Sequence, residues 1–267
     1  MKIAFIGGGR MAEALIRGLL TAKLTAPSDL KVSDTDPKRR EHLKKTYLVS
    51  TYDDNQAAAG AAEVIILAVK PQVLPEVAAK LALQPDQLLI SLAAGINLTY
   101  LQKKFPGVPV IRTMPNNPAL AQAGITALVA GGQVKAPGLK LARQIFGVVG
   151  DVVEVEEKHM DAVTGLSGSG PAFIYLVLEA MIEAGVELGL DGPTATKLAT
   201  QTVLGSAKTM ISSQKSAREL REMVASPGGT TIEGLAELEK GQVKQAFRAA
   251  VIAAARKSKV LAARWAT

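Results

Sequence analysis

The sequence has no cysteine and only two histidines, His42 and His159. The first absence removes disulfides, thiol nucleophiles and thiolate metal sites together. The second argues against a multi-histidine metal site, so no metal is expected. A Ser-His-Asp hydrolase would have to use one of the two histidines, and neither lies near a nucleophile-elbow sequence. Aromatic residues make up 4% of the chain, too few for the stacking platforms of a nucleic-acid binder, although the net charge is +7. The basic residues are dispersed. Their densest cluster, Lys38-Arg39-Arg40 with Lys44-Lys45, reads as a solvated helix face that can also attract an anionic cofactor. Apolar runs fall short of the roughly 18 residues that span a bilayer. The stretch Met1–Gly7 is too short for a signal peptide. A cytoplasmic protein without nucleic-acid or membrane partners is expected.

What is there is a chain of 267 residues, 48% hydrophobic, long enough for a sizeable core. In its first half, short apolar runs (2–6, 30–33, 64–69, 88–92, 108–112, 125–130 and 152–155) alternate with helical patterns (11–21, 37–46, 71–81, 98–105 and 137–146). That alternation predicts an α/β Rossmann domain with a mostly parallel sheet covered on both faces. Beyond about residue 158 no strand pattern remains, and 171–190, 193–212, 216–225 and 231–267 read as helices broken at Pro or Gly. The expected division is a dinucleotide-binding domain over 1–157 and an all-α domain over 158–267. The second is rich enough in Ala, Leu and Val to bury helices against another subunit, making a homodimer or higher homo-oligomer.

The clearest motif is Ile3-Ala4-Phe5-Ile6-Gly7-Gly8-Gly9-Arg10-Met11-Ala12, a strand, a glycine turn and a helix start that fit G-x-G-x-x-A. Gly7 permits the tight turn, Gly9 lets the backbone approach a pyrophosphate, and Ala12 lets the helix pack close to the strand. The helix N-terminus offers N–H groups and a partial positive charge to the anion. The next strand ends at Ser33-Asp34. Asp34 favours the ribose hydroxyls of NAD, or else caps the helix that starts near Pro37, whereas Ser33, Thr35 and Lys38-Arg39-Arg40 suit the 2′-phosphate of NADP. The strand ending Ala68-Val69-Lys70-Pro71 should also place its carboxyl end beside the cofactor. Ala93 and Ala94, after another strand, leave room for a nicotinamide ring.

Two segments remain. Thr164–Phe173 carries Gly165, Gly168 and Gly170 into a long helix. Val224–Leu235 holds a glycine turn, Ser226-Pro227-Gly228-Gly229-Thr230-Thr231, whose backbone N–H groups suit a carboxylate. With these, the whole chain resembles the pyrroline-5-carboxylate reductase family. The resemblance rests on the N-terminal turn, Ala68–Pro71, Ile111–Pro118, Gly168–Pro171 and the 226–235 loop. It implies reduction of 1-pyrroline-5-carboxylate to L-proline with NADP or NAD, NADPH slightly favoured. It also implies that the N–H groups of the Gly228–Thr231 turn hold the substrate carboxylate, with Ser226 alongside. The Thr231 hydroxyl then faces the ring nitrogen, Asn55 lies on the adenosine side, and Glu157 lies near the nicotinamide end. The helical part must bring its turn over the coenzyme of a Rossmann domain, in the same subunit or across a dimer.

The two-part plan is also similar to that of β-hydroxyacid dehydrogenases, in which a lysine follows the last glycine of the segment by four residues and an asparagine follows four later. Here those positions hold Ile174 and Leu178. A ketone needs a proton donor as alkoxide charge develops, and Ile174 cannot supply one. A cyclic imine arriving already protonated needs none. The alternatives left are another small-molecule dehydrogenase of that type and a non-catalytic NAD(P) sensor, which need not keep the substrate turn.

Overall fold

The computed structural model describes residues 1–265. In chain order its elements are β1 (Ile3–Ile6), α1 (Arg10–Thr21), β2 (Leu30–Ser33), α2 (Pro37–Tyr47), β3 (Ser50–Tyr52), α3 (Asn55–Ala59), β4 (Val64–Leu67), α4 (Leu74–Lys80), β5 (Leu88–Ser91), α5 (Leu98–Lys104), β6 (Val110–Met114), β7 (Gly124–Ala130), α6 (Ala136–Gly147) and β8 (Gly150–Glu154). Helices follow: α7 (Met160–Val163), a π-helical turn over Thr164–Gly168, α8 (Gly170–Glu187), α9 (Gly192–Ser213), α10 (Ala217–Val224), α11 (Thr230–Lys240) and α12 (Val243–Ala263).

The strands form one sheet in the order β3-β2-β1-β4-β5-β6-β7-β8. Every pairing is parallel except β6 with β7. All residues of β1, β4 and β5 are buried, as expected of strands covered on both faces. Alternation along β1 sends Ile3 and Phe5 into a core with Leu15, Leu19 and Phe146, and Ala4 and Ile6 into a second core with Ile65, Leu67 and Leu101. Chain order reverses between β1 and β4, and such a switch point opens a crevice at the carboxyl ends of the strands.

Three differences from the sequence reading have physical reasons. β3 is a short strand at the sheet edge, exposed or half-buried, so it lacks an apolar run. α3 has five residues, too few to show a period, and is held by its cap, Asp54 accepting from the Ala57 N–H at 2.6 Å. The single helix expected over 231–267 is two, because the chain breaks at Gly241 and at Gln242, whose φ is 53°. The last two residues of that span lie outside the described residues.

Packing divides the chain into two compact units, one of residues 1–169 with the stretch from Ala253 onward, the other Gly170–Ile252. In the first unit, the end of α12 is tied down by the buried Ser258, whose hydroxyl donates to Asp161 Oδ1 at 2.7 Å, and by an edge-on contact of Trp265 with Tyr100. In the second, only Ala195 and Ala199 are buried among the described apolar side chains, while Leu176, Leu188, Leu198 and Ile211 are exposed. The helical stretch Glu157–Glu187, of mean hydropathy 1.3, is long and apolar enough to cross a membrane by length and composition alone. Its apolar residues do not form one uninterrupted run, because polar residues such as Ser167, Ser169 and Glu179 break them up.

Candidate active site

The three glycines after β1 differ in what they touch. Gly7 has φ 98°, and a Cβ there would lie 2.9 Å from the Ala68 carbonyl oxygen. A Cβ on Gly8 would lie 2.7 Å from Leu43 Cδ1. Backbone geometry therefore demands glycine at Gly7, whereas at Gly8 the ends of the Leu43, Val32 and Asp34 side chains would have to give way. A Cβ on Gly9 would meet nothing within 4 Å. The protein leaves open space there. α1 opens on Gly9, which has no side chain to cap it, so the first-turn N–H groups, beginning with Arg10 and Met11, face this space. Such a cradle fits a phosphate group. Ala12 is buried, as close packing of helix on strand requires.

The registers of β1 with β2 and β4, and of β4 with β5, bring Ile6, Ser33, Leu67 and Ser91 into line. The residues that follow them therefore share the carboxyl edge of the sheet. Ser33 is buried, and its hydroxyl donates to Asn55 Oδ1 at 2.7 Å, which leaves the Asn55 amide nitrogen for another partner. Asp34 is engaged through both oxygens. Oδ2 accepts from the Gly8 N–H at 2.8 Å and Oδ1 from the Asp36 N–H at 2.9 Å. It does not cap α2; Asp36 does, accepting from the Lys38 N–H at 2.9 Å. Ala68, Val69 and Pro71 are half-buried and Lys70 is exposed. Ala93 is buried and Ala94 exposed on the loop after β5.

Arg112 and Glu157 form an ion pair that sequence reasoning did not anticipate. A charged residue inside the apolar run Val110–Thr113 was its only signal. Arg112 is buried in β6, and Glu157 Oε1 also accepts from the Leu98 N–H at the start of α5 at 3.3 Å. Glu157 Oε2 is buried and has no partner among the described residues. Nearby, Asn116 ties the end of β6 to the π-helical turn, its amide donating to the Ser167 carbonyl at 3.1 Å. A Cβ on Gly168 would lie 2.7 Å from Met114 Cε.

In the second unit the chain turns at Gly228, with φ 68°, and the Gly229 N–H donates to the Ser226 carbonyl at 3.0 Å. A Cβ on Gly229 would strike Ser226 Oγ at 2.6 Å. α11 opens on Gly229, again without a capping side chain, so the N–H groups of Thr230 and Thr231 begin the helix unsatisfied by a cap. Ser226, Gly228 and Thr230 are exposed and Thr231 is half-buried.

Residues 157–261 match the family described as pyrroline-5-carboxylate reductase dimerisation, and residues 2–95 match the family of coenzyme F420-dependent NADP oxidoreductases. A pyrroline-5-carboxylate reductase from Synechocystis is 47% identical over 262 residues, which cover 98% of each chain. The chain belongs to the pyrroline-5-carboxylate reductase family. Among solved structures, the Coxiella burnetii pyrroline-5-carboxylate reductase superposes with a TM-score of 0.89 at 36% identity, covering 97% of this chain and 98% of its own. The Plasmodium falciparum pyrroline carboxylate reductase with NADP bound superposes with a TM-score of 0.88 at 32% identity, covering 98% of each. The apolar helical stretch Glu157–Glu187 falls inside the dimerisation match, which explains its composition without a bilayer.

Proposed function

We propose that the Gly7–Ala12 turn binds the pyrophosphate of NAD(P)H and that the Gly228–Thr231 turn binds the carboxylate of 1-pyrroline-5-carboxylate, which the chain reduces to L-proline. The observation that carries the coenzyme half is the open cradle at Gly9, where glycine is kept although the protein itself has room for a side chain. Residues 1–157 serve the coenzyme; residues 158–267 serve the substrate and a second copy of the chain. Ser33 and Asn55 lie toward the adenosine, with Asp34 beside them. Ala68, Val69, Lys70 and Pro71 line the approach to the ribose, and Ala93 and Ala94 the nicotinamide end. NADPH is the favoured coenzyme, in keeping with the NADP bound in the Plasmodium falciparum relative. The location is cytoplasmic.

NAD(P)H, when bound, supplies the hydride. The remaining work falls to the chain. The N–H groups of Gly229, Thr230 and Thr231, with Ser226, hold the carboxylate, and the Thr231 hydroxyl holds the ring nitrogen, which orients C5. Glu157 offers the oxygen that has no partner among the described residues to a donor at the nicotinamide end. A protonated imine loses its charge on hydride addition, so a strong general acid is unnecessary, in keeping with Ile174 where a lysine would be needed for a ketone. The test is a steady-state assay with 1-pyrroline-5-carboxylate and each coenzyme in turn. Coenzyme oxidation that depends on the imine, faster with NADPH, is expected. Absence of turnover with either coenzyme refutes the reading.

A further inference from the structure

The glycine turn is held from two sides by side chains that need not touch the coenzyme. On one side Asp34 accepts from the Gly8 N–H. On the other, Arg39 Nε donates to the Gly8 carbonyl, and its guanidinium also donates to the Gly9 carbonyl at 3.2 Å. Arg39 is held in turn by Glu13, a residue of α1. The Glu13 carboxylate is itself fixed by His42 Nε2 at 2.7 Å and by the Tyr47 hydroxyl at 3.0 Å. Arg39 and Glu13 are each about three-quarters buried, with side-chain exposures of 23%.

In a trans peptide the C=O of one residue and the N–H of the next point in opposite directions, and every peptide in the described chain is trans. Drawing the Gly8 carbonyl toward Arg39 therefore turns the Gly9 N–H the other way, into the cradle, while the Gly9 carbonyl is held as well by the first bond of α1, from the Glu13 N–H at 3.0 Å. Left alone, a peptide between two glycines has little steric resistance to flipping. A flipped Gly8–Gly9 peptide would aim a carbonyl oxygen at the anion and repel it. The Arg39 charge is neutralised by Glu13, so its influence reaches the ligand through the backbone.

We infer that Arg39, held by Glu13, is a positioning residue that sets the peptide orientation of the coenzyme turn and serves NADH and NADPH alike. This rests on the coenzyme reading of the Gly7–Ala12 turn. The test is dissociation constants for NADH and NADPH, read from nicotinamide fluorescence on the full chain, together with kcat and KM. Arg39→Met should raise both dissociation constants and both coenzyme KM values about tenfold, the loss of one charge-assisted contact. At saturating coenzyme, kcat should stay within about twofold of wild type, because only binding is affected. Arg39→Lys should recover part of the loss, and Glu13→Gln should weaken both coenzymes about threefold. A loss confined to NADPH makes Arg39 a 2′-phosphate ligand and overturns the inference, as does unchanged affinity for both. If Arg39→Met does not fold, Arg39→Lys and Glu13→Gln decide, and wild-type affinity in both overturns it. Gly9→Val separates the two layers. Should that variant bind coenzyme normally, the reading of the turn itself falls; should it lose binding while Arg39→Met keeps it, only the positioning role falls.

Discussion

At Thr231 a single hydroxyl has two possible tasks, holding the substrate ring nitrogen or steadying the first turn of α11. The cap position of α11 is Gly229, so Thr231 sits inside the helix rather than at the position whose side chain normally caps it. Removing a hydrogen bond to a charged group costs about 1.5–3 kcal/mol. Thr231→Ala should therefore lower kcat/KM about 10- to 200-fold while coenzyme affinity and melting temperature barely move. Thr230→Ala should be milder, since only its N–H is used. Near wild-type efficiency for Thr231→Ala would leave the hydroxyl without a role in the reaction. Glu13 gives a residue-level prediction in pH. Burial pushes its carboxyl up, but hydrogen bonds from His42, Arg39 and Tyr47, with the charge of Arg39, outweigh burial and hold it below the ordinary 4.5. A carboxyl depressed on folding contributes stability above its unfolded pKa, and that contribution fades as pH falls through the folded value. Glu13→Gln should melt below wild type at neutral pH, and the gap should close as the pH drops below 4.5. A gap that stays constant in melts down to about pH 3 would show that the carboxylate charge does not contribute.

Among the elements, α1 shows how close packing overrides propensity. A Cβ on Gly18 would lie 2.6 Å from Val148 Cγ2 and 3.0 Å from the Val148 carbonyl oxygen. In an isolated helix Gly→Ala gains about 1 kcal/mol; overpacking a tight contact costs about 1–3 kcal/mol. The backbone carbonyl cannot swing aside, so Gly18→Ala should destabilise by about 1 kcal/mol net, read as a lower denaturant midpoint with an unchanged slope. A higher midpoint would mean the loop after α6 yields. What could be read in the sequence follows the same logic. β1, β4 and β5 were legible because burial on both faces writes continuous apolar runs, and the first glycine turn because its spacing is tied to one geometry. β3, α3 and the break at Gly241–Gln242 were not, since each is set by a local cap, an edge pairing or one left-handed residue rather than by a period. The Arg39–Glu13 pair joins residues 26 apart in the chain, and the Arg112–Glu157 pair residues 45 apart. Neither has a sequence signature, because the sheet brings them together.

For the whole molecule, the exposed apolar helices from Gly170 to Ile252 and the dimerisation match point to the same outcome. Light scattering at micromolar concentration should give a dimer or larger assembly, and the melting temperature should rise with protein concentration by mass action. A monomer with a concentration-independent melt would refute it. The course of α12 has a separate consequence for synthesis. It begins in the helical unit, yet its end, through Ser258 and Trp265, belongs with the sheet. A nascent chain emerging N-terminus first therefore exposes the Asp161 and Tyr100 docking positions while their partners are still inside the ribosome. The unit that is made first is the one finished last.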